Sequence, residues 1–270
     1  MTFLCRHYRV STSGYYAWTQ RAPSPRSRAN ASLRRKIHRI HECSHGIYGS
    51  PRVWEALQQQ GIPCGENRVA RLMRNASLQG RVVKVTRRAP GVQRFFEATP
   101  NLRQGQSAPQ RPDQQWVGDV TYLKASGKQC FLATVMDVYS RKIVGWSLGH
   151  DRTVNLTARA VQRAIRVRHT EHDLLFHSDR GIEYGAYRYK ALLGTYGIRS
   201  SMNRPGHPGD NAHMESFFHS MKAEWIRGKT FTSFSELEAA IKHYIRFYNH
   251  QRLHSGIDYH TPVEYERLYR

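Results

Sequence analysis

Three carboxylates stand out among the 20 Asp and Glu residues of this 270-residue chain. Asp119 lies inside WVGDVTYL, where apolar neighbours predict a buried strand, and Asp179 closes DLLFHSD, a short buried strand. Glu215 sits in GDNAHMESFFHSMKAEW, whose spacing predicts a helix that Asp210 or Asn211 can cap. A lone Glu on a helix is usually solvent-facing decoration. Acids from a strand centre, a strand end and a helix could, however, meet at one point. Unpaired there, their charges would repel and raise their pKa values. A divalent cation resolves this, and oxygen-only ligands suit Mg²⁺ or Mn²⁺. Two such ions about 3.5 to 4 Å apart can activate a water or a 3′-hydroxyl and stabilise the leaving oxygen of a phosphodiester. On that reading Asp119 bridges both ions, with Asp179 on one and Glu215 on the other. Lys222, seven residues after Glu215 and on the same helical face, could meet a phosphate beside them.

The elements that must position these acids are legible around them. Segments 116–124, 129–138 and 141–149 are rich in Val, Ile, Tyr and Trp, with turns at Ser126-Gly127 and Ser140-Arg141, and predict three antiparallel strands. NLTARAVQRAIRVR then has helical spacing, DLLFHSD is a strand, GAYRYKALLGTYG a helix ended by Gly197, and IRSSM a strand. RPGHPGDN is a Gly/Pro loop leading into the Glu215 helix. In the tail, Ser233 and Glu236 predict a capping box, ahead of a stripe of Phe234, Leu237, Ile241, Tyr244, Ile245 and Tyr248. The order predicts an α/β fold, a mixed sheet with helices on its faces.

The front of the chain has another character. Residues 1–112 hold 20 Lys/Arg against 4 Asp/Glu, while 113–270 hold 22 against 16, within an overall charge of +22. A basic front and a near-balanced back suit a polyanion-gripping module joined to a catalytic one. Residues 1–80 read as helical. LCRHYRVSTSGYYAW predicts helix, turn, helix with Gly14 at the turn, and LRRKIHRIHE puts Leu33, Ile37 and Ile40 on one face. Pro51 opens a further helix that Gly61 ends, and Glu66 or Asn67 begins the next. There Val69, Leu72 and Met73 point inward and Arg68, Arg71 and Arg74 outward, as in a helix-turn-helix lying against DNA. Residues 81–112 read as an extended basic linker, either along a nucleic-acid backbone or mobile.

Several features have blander readings. Asp137 is expected to pair with Arg141 or a nearby backbone group, His177 to be a hydrogen-bond partner beside Asp179 rather than a ligand, and Trp116 to be core. His38, His41, Cys43 and His45 are crowded, but no second ligand pair stands at zinc-finger spacing. The four cysteines, far apart, argue for a reducing compartment without a disulfide framework. Neither a transmembrane run nor a Walker-type phosphate loop is present in the sequence.

The stretches WVGDVTYL, HSDRGIEY and GDNAHMESFF, with FLATVMDVYSRKIVGW, SMNRPG, YNHQRLH and a Thr261-Pro262 pair, resemble the OrfB-type DDE transposases of the "IS-three" family of bacterial insertion sequences. YGSPRVWEAL and RVARLMR resemble that family's N-terminal region. The resemblance implies a ribonuclease-H-like, retroviral-integrase-like core over 113–228, with a helical C-terminal extension at 229–270. It implies a triad of Asp119, Asp179 and Glu215 using Mg²⁺ or Mn²⁺, two ions, to cleave 3′ ends and transfer strands. It further implies double-stranded DNA as partner (terminal inverted repeats and target) and a homo-oligomer on that DNA. OrfA is implied as fusion or companion, and the bacterial cytoplasm at the nucleoid as location. Lys222, Arg204, Asn211, Arg68, Arg71, Arg74 and Arg252 are the expected DNA contacts. A simple ribonuclease-H-like nuclease and a non-catalytic DNA-binding regulator are the alternatives.

Overall fold

The computed structural model describes residues 1–81, 99–168, 173–205 and 207–268. The chain divides into two compact units, Met1–Gly80 and Arg81–Arg270.

The first unit is helical: α1 Thr2–His7, α2 Thr12–Thr19, α3 Pro25–Cys43, α4 Ser50–Gln59 and α5 Glu66–Asn75. Ser24 accepts the Ser27 N–H and so caps α3, with Pro25 pre-set for the first turn. Leu33, Ile37 and Ile40 of α3 bury against Val53 and Leu57 of α4 and Val69, Leu72 and Met73 of α5. One expectation shifts. Gly14 lies inside α2, and the turn falls earlier, at 8–11, because Ser11 caps α2 by accepting the Gly14 N–H and Arg9 adopts a positive φ of 54°.

The second unit is built on a five-stranded sheet of order β3-β2-β1-β4-β5, from β1 Gln115–Ala125, β2 Lys128–Asp137, β3 Ile143–Gly149, β4 Leu175–Ser178 and β5 Arg199–Met202. The first three are antiparallel, and β4 and β5 run parallel to β1. Ser126 and Gly127 both take positive φ, the geometry of a type I′ hairpin turn. β3 starts at Ile143, two residues later than expected. Arg141 takes a φ of 62°, and the Asp137 carboxylate accepts the Ser140 N–H at 3.0 Å and the Asp113 N–H at 2.6 Å. Asp137 therefore pairs with backbone groups rather than with Arg141.

Registration divides the sheet into two faces. Trp116, Gly118 and Val120 share one with Ala133, Val135 and Phe176, and α6 Val154–Val167 covers it with Leu156, Ala160, Val161 and Ala164. The approach is close: a Cβ on Gly145 would lie 2.2 Å from the Ala160 carbonyl oxygen, and one on Gly118 2.4 Å from the Phe176 ring. α7 Ile182–Gly185, which the spacing did not reveal, and α8 Tyr187–Thr195 follow β4. The opposite face carries Val117, Asp119 and Thr121 with Thr134 and His177.

α9 Ala212–Met221 packs on β1, with Met214, Phe217, Phe218 and Met221 buried, and then loosens into one π-helical turn, Lys222–Ile226. α10 Phe234–His250 is N-capped by Ser233, whose hydroxyl accepts the Glu236 N–H. The Glu236 carboxylate reaches back one residue further than a capping box requires, to the Thr232 N–H and hydroxyl. Asn249 pairs both amide atoms with the Ile143 backbone at 2.9 Å, which satisfies part of the edge strand. α11 Pro262–Leu268 is held by Glu266, which pairs with buried Arg168 and, at 2.9 Å, with Lys142. Arg168 also meets Asp113 at 3.2 Å.

Of the expected linker 81–112, residues 82–98 lie outside the described residues. The remainder is docked: Met202 donates its N–H to the Pro100 carbonyl, Leu102 N–H reaches the Ser201 hydroxyl at 2.9 Å, and Arg103 reaches the Asp210 carbonyl at 3.0 Å. Residues 99–103 therefore border β5 rather than trailing as a mobile arm. A mixed five-stranded sheet with helices on both faces is the expected ribonuclease-H-like architecture.

Candidate active site

β1, β3, β4 and β5 all run in one direction, so their carboxyl ends share one edge of the sheet, the edge where open sheets gather chemistry. Gly118 is registered with Ser178, so Asp119 and Asp179 occupy the next positions on neighbouring parallel chains, at a strand spacing of about 4.8 Å. β4 ends at Ser178, and past it β1 continues with no strand paired on that side among the described residues. The first of the two aspartates thus stands where the sheet opens.

Their electrostatics register the proximity. Burial, followed by the Asp179 charge and more weakly by Glu183, pushes the Asp119 carboxyl up to about 8, against the pull of the Val120 N–H and Arg152. Asp179 is raised too, by burial first and then by Glu183, while the Gly181 N–H and Arg152 lower it. Asp119 Oδ1 accepts the Val120 N–H at 2.7 Å and Asp179 Oδ1 the Gly181 N–H at 3.0 Å. Thr134 is registered opposite Asp119, and its buried hydroxyl has no hydrogen-bond partner among the described residues.

Glu215 departs from expectation. It is exposed in the first turn of α9, whose inward stripe is taken by Met214, Phe217, Phe218 and Met221. Among the described residues no three His, Cys, Asp or Glu side chains stand close enough to hold a metal ion, so the three acids do not form a ready cage. The helix is nonetheless fixed beside Asp119. At its start, Asn211 donates its amide to the Gly118 carbonyl at 3.1 Å, and at its end Lys222 places Nζ 4.6 Å from the Tyr122 ring centre. Asn211 and Lys222 stand 11 positions apart, about 16 Å along a helix, and strand residues 118–122 span about 13 Å. Positions 211, 215, 218 and 222 form one helical stripe, so Glu215 lies along it between the two anchors, nearer the Gly118 end.

The donor set fits a hard divalent cation. All candidate ligand atoms are carboxylate oxygens, and a cation is what two neighbouring carboxyls with raised pKa values need in order to ionise together.

The remaining predicted residues have definite places. Asn211 is buried and holds α9 to β1; it stands at the N-cap position of the helix, but its side chain makes no cap hydrogen bond, and its Oδ1 is buried without a partner among the described residues. Asp210 does not cap it either, being gripped by the forked guanidinium of Arg204 at 3.0 and 3.2 Å and by the Asn101 amide at 2.8 Å. Arg204 holds that carboxyl far below the usual carboxylate range. The ring hydrogen bonds of His177 go to residues other than Asp179. Its nitrogens meet the Ser201 hydroxyl at 2.8 Å and the Asn203 side-chain oxygen at 2.7 Å, and burial plus Arg103 pull its pKa down to about 4, leaving a neutral strut.

Arg252 is not a surface contact. It is buried and bonds Glu224 through Nε at 2.9 Å and Nη2 at 2.6 Å, because the π-helical turn brings Glu224 inward. In the first unit Arg68 forks onto Asn30 at 2.7 and 3.0 Å instead of pointing outward, whereas Arg71 and Arg74 are exposed.

Two residues escaped the sequence reading. Arg152, in the turn between β3 and α6, donates Nε to Glu183 Oε1 at 2.7 Å, and its Nη2 stands 2.7 Å from the same oxygen and 3.8 Å from Asp179 Oδ2. Neither has a periodic signal. The only hint for Glu183 was its place four residues after Asp179.

Residues 109–208 and 196–262 match families described as "Integrase core domain", and residues 27–86 match an "HTH-like domain". The chain is 34% identical to the "Insertion element IS600 uncharacterized 31 kDa protein" of Shigella sonnei, over 98% of both chains. It is also 34% identical to "Transposase InsF for insertion sequence IS3A" of Escherichia coli (strain K12), over 97% of this chain and 92% of that one. A solved simian T-cell lymphotropic virus intasome, in complex with the PP2A regulatory subunit B56 gamma, shares the fold. Its TM-score is 0.50 at 16% identity, over 85% of this chain and 74% of that one.

Proposed function

This chain belongs to the insertion-sequence transposases of the IS3 family, with an integrase core domain, and on that premise we propose that it cleaves 3′ DNA ends and transfers the strand through Asp119, Asp179 and Glu215. The observation that carries the reading is the Asp119–Asp179 pair, one position past the registered Gly118 and Ser178, with α9 anchored alongside it at Gly118 and at Tyr122. Exposed Glu215 has the side-chain freedom to turn toward that pair, while Asn211 fixes the backbone from which it turns. Mg²⁺ or Mn²⁺ bound there, as two ions, would favour attack by water or a 3′-hydroxyl on a phosphodiester and stabilise the departing oxygen.

The protein's own part is positional. Asp119 and Asp179 present oxygens from a rigid sheet edge, the Val120 and Gly181 N–H groups orient those carboxylates, and Lys222 offers a cation for a nearby phosphate. The first unit, with Arg71 and Arg74 exposed on a basic helix, supports a grip on duplex DNA.

The test uses Asp119→Asn, Asp179→Asn and Glu215→Gln on duplexes bearing the element's ends, with Mg²⁺. Each substitution is expected to abolish cleavage and joining and to leave DNA affinity nearly intact. Wild-type activity in any of the three would remove that residue from the triad. Cut but never joined products from the unaltered protein would mean a simple nuclease, and neither product a DNA-binding regulator.

A further inference from the structure

The turn after β3 brings a cation to the same edge as the paired aspartates, and its geometry is not that of a simple ion pair with them. Arg152 is clamped by Glu183, whose single oxygen Oε1 takes Nε at 2.7 Å and lies 2.7 Å from Nη2. The Glu183 side chain is buried. Asp179 Oδ2 is 3.8 Å from Nη2, beyond the 2.7–2.9 Å of a charge-assisted hydrogen bond. Nη1 has no hydrogen-bond partner among the described residues, and the Arg152 side chain is 42% exposed. A rigid guanidinium is thus held by one edge, with its other edge presented beside Asp179. A planar fork in that position matches the two non-bridging oxygens of a phosphodiester.

We propose that Arg152 is a phosphate-binding residue of this site, aimed by Glu183 at the phosphodiester that the aspartates address. The inference deepens the strand-transfer reading above and rests on it. Arg152 and Glu183 act as a unit: the buried carboxylate fixes the guanidinium plane, and the free edge meets the anion. The plainer reading is a tether between the β3–α6 turn and α7, which would contribute to stability and leave DNA untouched.

Arg152→Gln, Arg152→Lys, Glu183→Gln and the Arg152→Gln/Glu183→Gln double variant separate the two. Each is assayed for nicking of an element-end duplex, for DNA affinity across a salt series, for Mn²⁺ affinity by electron paramagnetic resonance, and for thermal unfolding. Arg152→Gln is expected to lower kcat/KM at least about tenfold and to flatten the slope of log affinity against log salt by about 0.9, the signature of one phosphate no longer neutralised. Mn²⁺ binding should match or exceed wild type, since a nearby positive charge has gone. Glu183→Gln should give part of the loss, and the double variant no more loss than Arg152→Gln alone. Arg152→Lys, which keeps charge and the Glu183 pair, should still lose several-fold in kcat/KM for want of the fork, and it carries the test should Arg152→Gln not fold.

Wild-type nicking and salt slope in Arg152→Lys and in any folded Arg152→Gln would overturn the proposal. So would weakened Mn²⁺ binding as the sole effect, because Arg152 would then act on the acids rather than on DNA. An unaltered protein that neither binds nor nicks DNA with Mn²⁺ would instead remove the strand-transfer reading on which the proposal rests.

Discussion

Asp119 keeps its proton to about pH 8 because burial and the charge of Asp179 both oppose its ionisation. A carboxyl whose folded pKa is raised favours the native state while it is neutral. That contribution is full below the ordinary carboxylate range near pH 4 and is lost as pH rises through about 8. Asp119→Asn removes this pH-dependent penalty, so without divalent metal its melting temperature should exceed wild type increasingly between pH 5 and 8, by about 2–4 °C for each kcal/mol relieved. Mg²⁺ should narrow the gap at pH 8 by stabilising only the wild type. A constant offset across that range would mean that Asp119 ionises freely in the fold. The residue types of this pair and their strand settings were legible in WVGDVTYL and HSD, since few carboxylates interrupt such apolar runs. The Arg152–Glu183 clamp was not legible, because it joins a turn to a short helix about thirty residues on and leaves no period in either.

Among the elements, the helix that carries Glu215 does more than its hydrophobic stripe announced. Its end is unwound into a π-helical turn that turns Glu224 inward, where Arg252 and the Tyr244 hydroxyl take up its oxygens. Burial alone would lower the Arg252 pKa, but Glu224 and nearby tyrosines hold it well above the usual range. Arg252→Ala would take the Arg252 counter-charge from the buried Glu224 carboxylate, at a cost of about 3–5 kcal/mol. A chemical-denaturation midpoint will read this loss. The salt slope of DNA binding by the folded fraction should stay at the wild-type value, which it would not if Arg252 met a phosphate. The periodic elements were readable in the sequence: β1, β2 and α10 fall within a residue or two of their expected bounds. Errors gathered where side chains overrule local pattern, at Ser11, which moves a helix start, and at Asp137, which delays β3. Arg252 and Arg68 were misplaced for a related reason. A sequence shows an arginine's charge but not the distant Glu224 or Asn30 that claims it.

For the whole molecule, charge is divided unevenly along the chain. The first unit is strongly basic, and of its three expected groove-facing arginines two are exposed. Substituting Arg71 and Arg74 together by Ala should flatten the salt slope of DNA binding by about 1.8, that is about 0.9 for each phosphate left without its arginine, with no change in nicking once DNA is saturating. Loss of turnover at saturation would give the two arginines a part in the chemistry. The segment bordering β5 shows why composition misjudged 99–112: an Arg- and Gln-rich stretch is mobile only until acceptors such as the Asp210 carbonyl are offered to it. The pairing of Arg168 with Glu266 spans 98 residues and has a consequence for biosynthesis. Arg168 is buried in the finished fold, yet one of its two carboxylate partners is made 98 residues after it. A nascent chain in which 266 has not emerged holds Arg168 with Asp113 but without its second carboxylate. The second unit therefore gains this tie between the end of α6 and α11 only once residue 266 has been made, and a chain stopped before that point must fold without it.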